Sequence, residues 1–183
     1  FITGVTTKKG RTFTADYYIS AIHPCSLVKL FEDPSALPKA YRYRLEMIPN
    51  SYSAFTLNLK LKPGTFRYIN HSAYYMSRYD EIWNFDENEG RWPLGFLYMT
   101  PPDLNQGEFS TKMVITAPMT WDYVKQWEDT TVGRRGEEYE KWKAECADKL
   151  LDCIEELYPD FRSCIEAVNT ASRISARVLV PAK

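Results

Sequence analysis

The stretch SYSAFTLNLKLK, residues 51–62, carries the clearest strand signal in the chain. Apolar and polar residues alternate along it, with Phe55, Leu57, Leu59 and Leu61 on one set of positions and Thr56, Asn58 and Lys60 on the other. Successive side chains of a β-strand point to opposite faces of a sheet, so this period of two predicts one buried face and one solvent-exposed face. The segment therefore predicts a strand of a sheet that is packed on one side.

Three further segments predict strands, at about 71–78, 94–100 and 110–118. Polar, turn-rich stretches separate them, and they do not alternate with helices as the strands of a parallel sheet do. The predicted fold class is α+β. It has a mixed, largely antiparallel sheet of about five or six strands with helices on one face, plus an N-terminal hairpin.

The N-terminal residues predict a β-hairpin, with strands at about 2–7 and 11–22 and a turn at 8–10. Pro24 ends the second strand, because proline cannot donate a ladder hydrogen bond, and a short helix follows it. The chain begins on FITGV and not on Met, which suggests a piece of a larger protein.

Two longer segments predict helices. The first covers about 36–47, with Ser35 as its N-cap. The second covers 137–158, where apolar residues recur at spacings of three and four: Tyr139, Trp142, Cys146, Leu150, Cys153 and Leu157. This phase points Trp142 and Leu150 at the sheet, and points three residues at water: Lys141, Lys143 and Glu145. A short helix at about 161–168 precedes a tail of weak periodicity.

Composition limits the function classes. The chain has 183 residues and a net charge of −1, so it offers no basic field for nucleic acid. Aromatic residues make up 15% of it, and they either build a core or line a wide apolar cleft. No apolar run is long enough for a membrane span.

The four cysteines predict reduced thiols. Cys146 and Cys153 are seven residues apart, which on a helix separates them by roughly 10 Å, too far for a disulfide. Reduced cysteines are typical of a cytoplasmic protein.

Catalytic and metal-binding signatures are missing from the sequence. It contains no GxGxxG, no P-loop and no HExxH, and its two histidines, His23 and His71, stand outside any metal-ligand spacing. We therefore predict no metal site and no catalytic residue. The residues alone indicate a binding or accessory domain and not a complete enzyme.

The stretch GVTTKKGRTFTADYYISAIHP, residues 4–24, resembles a segment of the phytoene desaturase, carotenoid isomerase and retinol saturase family of FAD-dependent oxidoreductases. The matching positions are Gly4, Val5, Gly10, Ala15, Asp16, Ile19, Ser20 and Pro24. The resemblance implies that the hairpin, residues 1–24, belongs to an FAD-binding domain, and that residues 25–183 form the substrate-binding domain.

A second match covers residues 134–172, which are similar to the long helix of that family and the segment after it. The matching positions are Tyr139, Lys143, Leu150, Leu151, Ile154, Glu155, Pro159, Ile165 and Ala171. The segment 51–62 resembles the first sheet strand of the family's substrate domain. Two features depart from the family: its dinucleotide fingerprint is absent, and no Thr-Pro step follows Ala171.

The resemblance implies a substrate-binding domain of an enzyme that saturates, desaturates or isomerises double bonds in a long apolar molecule, such as an isoprenoid, carotenoid or retinoid. FAD would bind the intact parent protein and not this chain, which we expect to be inactive alone. Candidate substrate-lining residues, each of which also fits plain core packing, are Tyr52, Phe55, Tyr74, Tyr75, Met76, Phe96, Tyr98 and Met99. The sheet face opposite the helices should be apolar and partly exposed.

Two alternatives remain. One is the substrate domain of a flavin amine-oxidase-like enzyme, for which Lys60, Lys112 and Glu108 are the charged candidates. The other is an independent lipid- or protein-binding module. The expected partners are an apolar small molecule and the FAD-binding domain of the same parent chain, and not nucleic acid. Peripheral membrane contact and a dimer through the exposed sheet face are compatible with this prediction, as is a cytoplasmic location.

Overall fold

A computed structural model describes most of the chain, in the ranges 2–48, 53–81, 90–104, 107–131 and 133–172. The chain forms two compact units, with residues 2–48 in the first and the described residues from 53 to 172 in the second. The division between an FAD-binding part and a substrate-binding part after residue 24 stays a prediction.

The first unit opens with the predicted hairpin, formed by strands β1 (Val5–Thr6) and β2 (Thr12–Phe13). The two strands pair antiparallel and are shorter than predicted. Gly10 has a φ of 78°, which favours glycine, and its N–H donates to the Thr7 carbonyl at 2.9 Å to close the turn. The hairpin is confirmed, but residues 14–22 are not part of its second strand.

Two helices follow in this unit, α1 (Pro24–Val28) and α2 (Lys39–Met47). The prediction of Ser35 as the N-cap of α2 is wrong, because Pro38 stands at that position. Ser35 instead donates its backbone N–H and its hydroxyl to the Asp33 carboxylate, each at 2.8 Å, at the start of a 3-10 turn. None of the described residues of this unit is buried.

The second unit is built on a five-stranded sheet with the order β4-β5-β6-β3-β7. All neighbouring strands pair antiparallel. The strands are β3 (Ser53–Leu61), β4 (Ala73–Met76), β5 (Gly95–Met99), β6 (Lys112–Met119) and β7 (Ile165–Ala171). With the helix α3 (Glu137–Leu157), this confirms the predicted α+β class.

The alternation in β3 is confirmed. Its apolar positions are fully buried, and they meet the buried positions of β6 in register, as in the pairs Leu57–Ile115 and Leu59–Met113. We call this side the inner face. Buried side chains of α3, such as Leu150 and Ile154, belong to the same core cluster, so α3 covers the inner face.

The phase of α3 follows the prediction with two corrections. Leu150 is fully buried and Trp142 packs against the core, but Leu157 is 40% exposed because it lies in the last turn. Lys143, which was predicted to face solvent, is half-buried. Its ammonium lies 5.3 Å from the centre of the Tyr139 ring and 3.4 Å from the Glu140 carboxylate, so its charge is satisfied there.

The helix predicted at 161–168 is wrong over most of its length. A 3-10 turn covers Phe161–Cys164, and the chain then becomes β7, an edge strand paired with β3. Asp160, with a φ of 64°, reverses the chain after α3. Arg162 then fixes the turn by donating to Asp148, Asp152 and Glu155 on α3.

Candidate functional site

Four of the predicted lining residues point to the inner face and pack in the core: Phe55, Tyr75, Phe96 and Tyr98. The Tyr75 ring stacks on Phe96 with 4.8 Å between centroids. Phe55 meets Trp92 and Trp142 edge to face, at 5.6 and 5.9 Å. These contacts are typical of core packing, so the four side chains belong to the side that α3 closes.

The inner face has a polar contact near the end of α3. The hydroxyl oxygens of Tyr98 and Tyr158 lie 3.3 Å apart. Burial, together with the bond to Tyr98, raises the pKa of Tyr158 to about 12, and burial also raises the pKa of Tyr75. Both phenols therefore stay protonated at neutral pH.

The other three described candidates, Tyr74, Met76 and Met99, lie on the opposite side of the sheet, which we call the outer face. The Tyr74 side chain is 79% exposed, while Met76 and Met99 are half-buried. Tyr52 lies outside the described residues. The seven described candidates are therefore divided between the two faces of the sheet, and the three on the outer face form the accessible part.

Two apolar residues that the sequence reasoning missed complete this group. Leu97 pairs with Tyr74, and Val114 pairs with Met99, so both lie on the outer face, where they are half-buried. Strict alternation could have found Leu97, because it stands between the inward Phe96 and Tyr98. We call Tyr74, Met76, Leu97, Met99 and Val114 the apolar patch.

Gly95 lets the apolar patch lie close to the backbone of the sheet. It pairs with Met76, and a Cβ built on Gly95 would lie 2.4 Å from the Met76 sulfur and 2.8 Å from the Tyr75 carbonyl oxygen. A side chain at this position would therefore collide with the neighbouring strand. Glycine allows the flexible Met76 side chain to lie across β5.

The outer face carries polar residues in the middle of β3 and β7, beside the apolar pair Ala54–Pro118 and the apolar Ala171. The hydroxyl oxygens of Thr56 and Thr116 lie 3.2 Å apart across neighbouring strands, and both side chains are half-buried. Asn58 pairs with Val114 on one side and with Asn169 on the other. We call Thr56, Thr116, Asn58 and Asn169 the polar patch.

The three charged candidates of the amine-oxidase alternative are all in ion pairs. Lys60 contacts Glu166 at 2.5 Å, Lys112 contacts Asp103 at 2.6 Å, and Glu108 contacts Arg67 at 3.1 Å. The Lys112 ammonium and the Thr111 hydroxyl both donate to the Asp103 carboxylate and lower its pKa. These charges are therefore partnered within the chain.

The cysteines and histidines do not form a nucleophilic site among the described residues. All four cysteines are free, as predicted, and burial raises the pKa of Cys146 to about 12, which keeps it a thiol. His23 accepts a hydrogen bond from the Cys25 N–H at the start of α1, and His71 is exposed. No group of three or more potential metal ligands is present in the described part of the chain.

An FAD pyrophosphate is held by a glycine-rich turn that connects a strand to a helix. In the first unit, Gly4 and Gly10 lie in or beside the β1–β2 hairpin, and the five-residue helix α1 begins at Pro24. The described residues of this unit therefore do not fit a dinucleotide-binding turn, and no step of a flavin reaction is assigned to them.

Within the described ranges, no helix combines the length and the apolar character that a membrane crossing requires.

Comparison with known proteins yields no match for this chain, whether against protein-family models, curated proteins or solved structures. The functional proposal therefore rests on the residues and geometry of the sheet.

Proposed function

We propose that this chain is the substrate-binding part of an FAD-dependent oxidoreductase that acts on carbon–carbon double bonds of a long apolar molecule. The observation that carries the proposal is the apolar patch on the outer face. Tyr74, Met76 and Leu97 lie side by side there, on the side of the sheet away from α3. Contiguous exposed apolar groups are uncommon on monomeric proteins, and large patches of them mark binding sites for ligands, partner proteins or membranes.

The chemistry of the patch favours an apolar ligand. Thioether side chains such as Met76 and Met99 adapt to ligands of different shape, and the Tyr74 ring offers a flat face for stacking. Burying apolar ligand surface here contributes about 25 cal/mol per Å². The role of this chain is then to bind the substrate, to hold its double bonds in place and to keep water away from them.

In this proposal the flavin belongs to an FAD-binding domain of the same parent chain, and it supplies the redox chemistry. The likeness of residues 4–24 and 134–172 to the phytoene desaturase, carotenoid isomerase and retinol saturase family supports this part. The proposed location is cytoplasmic, or peripheral to a membrane that stores the apolar substrate.

Binding of a neutral apolar dye tests the substrate-binding role. Diphenylhexatriene should gain fluorescence with the 183-residue chain. Replacing Leu97 and Met99 together by Gln should weaken this binding by about tenfold, because it removes two apolar contacts of the patch. Val168→Gln is the matched control, since Val168 is also an exposed apolar strand residue but pairs with Leu59 of the inner face.

Equal dye binding by the double variant and by the control would refute the apolar patch as the binding site. Circular dichroism of each variant should show that the fold is retained. The sequence of the gene tests separately whether an FAD-binding domain belongs to the same parent chain. A Gly-x-Gly-x-x-Gly turn encoded upstream of residue 1 supports this part of the proposal, and an upstream sequence without such a strand–turn–helix motif refutes it.

A further inference from the structure

We infer that the ligand of the outer face is a long molecule with an uncharged polar group, such as a hydroxyl, at one end. Its apolar part lies over the apolar patch, and its polar end lies over the polar patch on β3, β6 and β7. This inference rests on the proposed function and adds the chemical class and the orientation of the substrate.

The first observation is one row of paired residues that crosses all five strands. In order from β4 to β7, the row is Tyr74, Leu97, Thr116, Thr56 and Ala171. The row is apolar on β4 and β5, bears hydroxyl groups on β6 and β3, and ends on the methyl group of Ala171 on β7. Neighbouring strands lie about 4.8 Å apart, so the row extends over roughly 19 Å.

A second row, one pleat along the sheet, changes in the same direction. It reads Met99, Val114, Asn58 and Asn169 from β5 to β7. In both rows the residue on β5 is apolar and the residue on β3 is polar, so the outer face changes from an apolar end at β4 and β5 to polar residues on β3. A ligand that matches this surface has the same asymmetry.

The polar end suits an uncharged group. Each threonine hydroxyl has one donor and two acceptor positions, so the contact between Thr56 and Thr116 leaves hydrogen-bonding capacity for a ligand hydroxyl or carbonyl. The third row holds Lys112 opposite Lys60, and both ammonium groups already contact carboxylates, those of Asp103 and Glu166. An anionic ligand would have to compete with these carboxylates.

Competition against bound diphenylhexatriene tests the inference. The competitors are dodecane, dodecanol and dodecanoate, which share one chain length and differ only at the end, each delivered from cyclodextrin. Dodecanol should displace the dye at a concentration about threefold to tenfold lower than dodecane, the range of one hydrogen bond.

Replacing Thr56 and Thr116 together by Val should remove this preference, measured as the ratio of the dodecane and dodecanol concentrations that displace half of the dye bound to that variant. Thr170→Val is the matched control, because Thr170 is also a half-buried strand threonine but pairs with Leu57 of the inner face. The control should keep the preference for dodecanol.

The outcomes separate this inference from the proposed function. Absence of dye binding to the unmodified chain overturns both. Dye binding with equal displacement by dodecane and dodecanol overturns the polar end alone. If dodecanoate displaces the dye at a lower concentration than dodecanol and dodecane, and Lys60→Met removes this advantage, the ligand carries a negative charge. That result overturns the inference of an uncharged polar end. If sedimentation shows a dimer that must dissociate before the dye binds, a second copy of the chain covers the outer face. That result overturns the inferred ligand.

Discussion

The two faces of strands β4 and β5 both carry large apolar side chains, but they have different surroundings. On the inner face, Tyr75, Phe96 and Tyr98 are packed under α3. On the outer face, Tyr74 is largely exposed and Met99 is half-buried. The comparison teaches that an aromatic-rich strand can fill a core on one face and leave apolar side chains open to solvent on the other, because alternate residues belong to different faces.

Leu150→Ala should produce the largest change, since it leaves a cavity in the core between α3 and the inner face. Leu150 is fully buried, and such truncations lower the free energy of unfolding by about 2–5 kcal/mol. Leu97→Ala on the outer face is the matched control and should cost about 1 kcal/mol or less. Urea denaturation monitored by circular dichroism measures both, and equal losses would remove the distinction between the faces.

Alkaline pH tests how tightly α3 closes the inner face. Burial raises the pKa of the Cys146 thiol from 9.0 to about 12. Between these values the unfolded chain has lost this proton and the folded chain has kept it. The stability is therefore complete below about pH 9 and falls as the pH rises towards 12.

At pH 11 we expect a loss from Cys146 of up to about 2–3 kcal/mol, at roughly 1.4 kcal/mol for each pH unit above 9. Cys146→Ala should make the unfolding free energy less dependent on pH in this range. Cys164→Ala, which removes a thiol outside the helix, is the control. If both variants keep the full pH dependence, the Cys146 site is open to water.

Gly95→Ala tests the close approach of β4 and β5 below the apolar patch. The added Cβ would lie 2.8 Å from the Tyr75 carbonyl oxygen, so the two strands must move apart. We expect a loss of about 1–2 kcal/mol in thermal or urea unfolding. Gly107→Ala is the control, because a Cβ there meets open space. An unchanged stability would mean that a shift of the Met76 side chain alone makes room for the added methyl group, without movement of the two strands.

Arg162→Met should have the smallest of these effects, at about 1 kcal/mol. The side chain donates to three carboxylates on α3 and anchors the turn before β7, but the carboxylates of Asp148 and Asp152 are mostly exposed. Arg162→Lys should restore only part of the loss, because an ammonium cannot reproduce the forked geometry of the guanidinium. If Arg162→Lys keeps the full stability of the unmodified chain, the positive charge at this position is sufficient and the forked geometry of the guanidinium is not needed.

The sequence predicted the elements whose burial pattern is strong. The alternation from Phe55 to Leu61 identified β3, and the three-and-four spacing around Leu150 identified α3. It failed for β7, because the edge strand Ile165–Ala171 is largely exposed and has no buried alternate positions to mark it. The pairing with β3 makes this segment a strand, and local sequence does not contain that information.

The candidate site was predictable only in part. Which of Tyr74 and Tyr75 points outward depends on the pairing register, because both are aromatic and either phase fits the local pattern. The contact between Thr56 and Thr116 joins residues 60 positions apart. Such contacts follow from the topology of the sheet, and single-sequence patterns do not reveal them.

The strand order has a consequence for how the chain folds. The strand β3 comes first in the sequence of this sheet, yet its two neighbours, β6 and β7, are the last two strands to be made. During synthesis β3 therefore lacks its first neighbour until β6 has been made, its apolar side stays uncovered until α3 has been made, and its second neighbour is complete only at Ala171. Long-range pairing of this kind slows folding and leaves apolar strands open to aggregation, so we expect slow refolding and a need for chaperones at high expression.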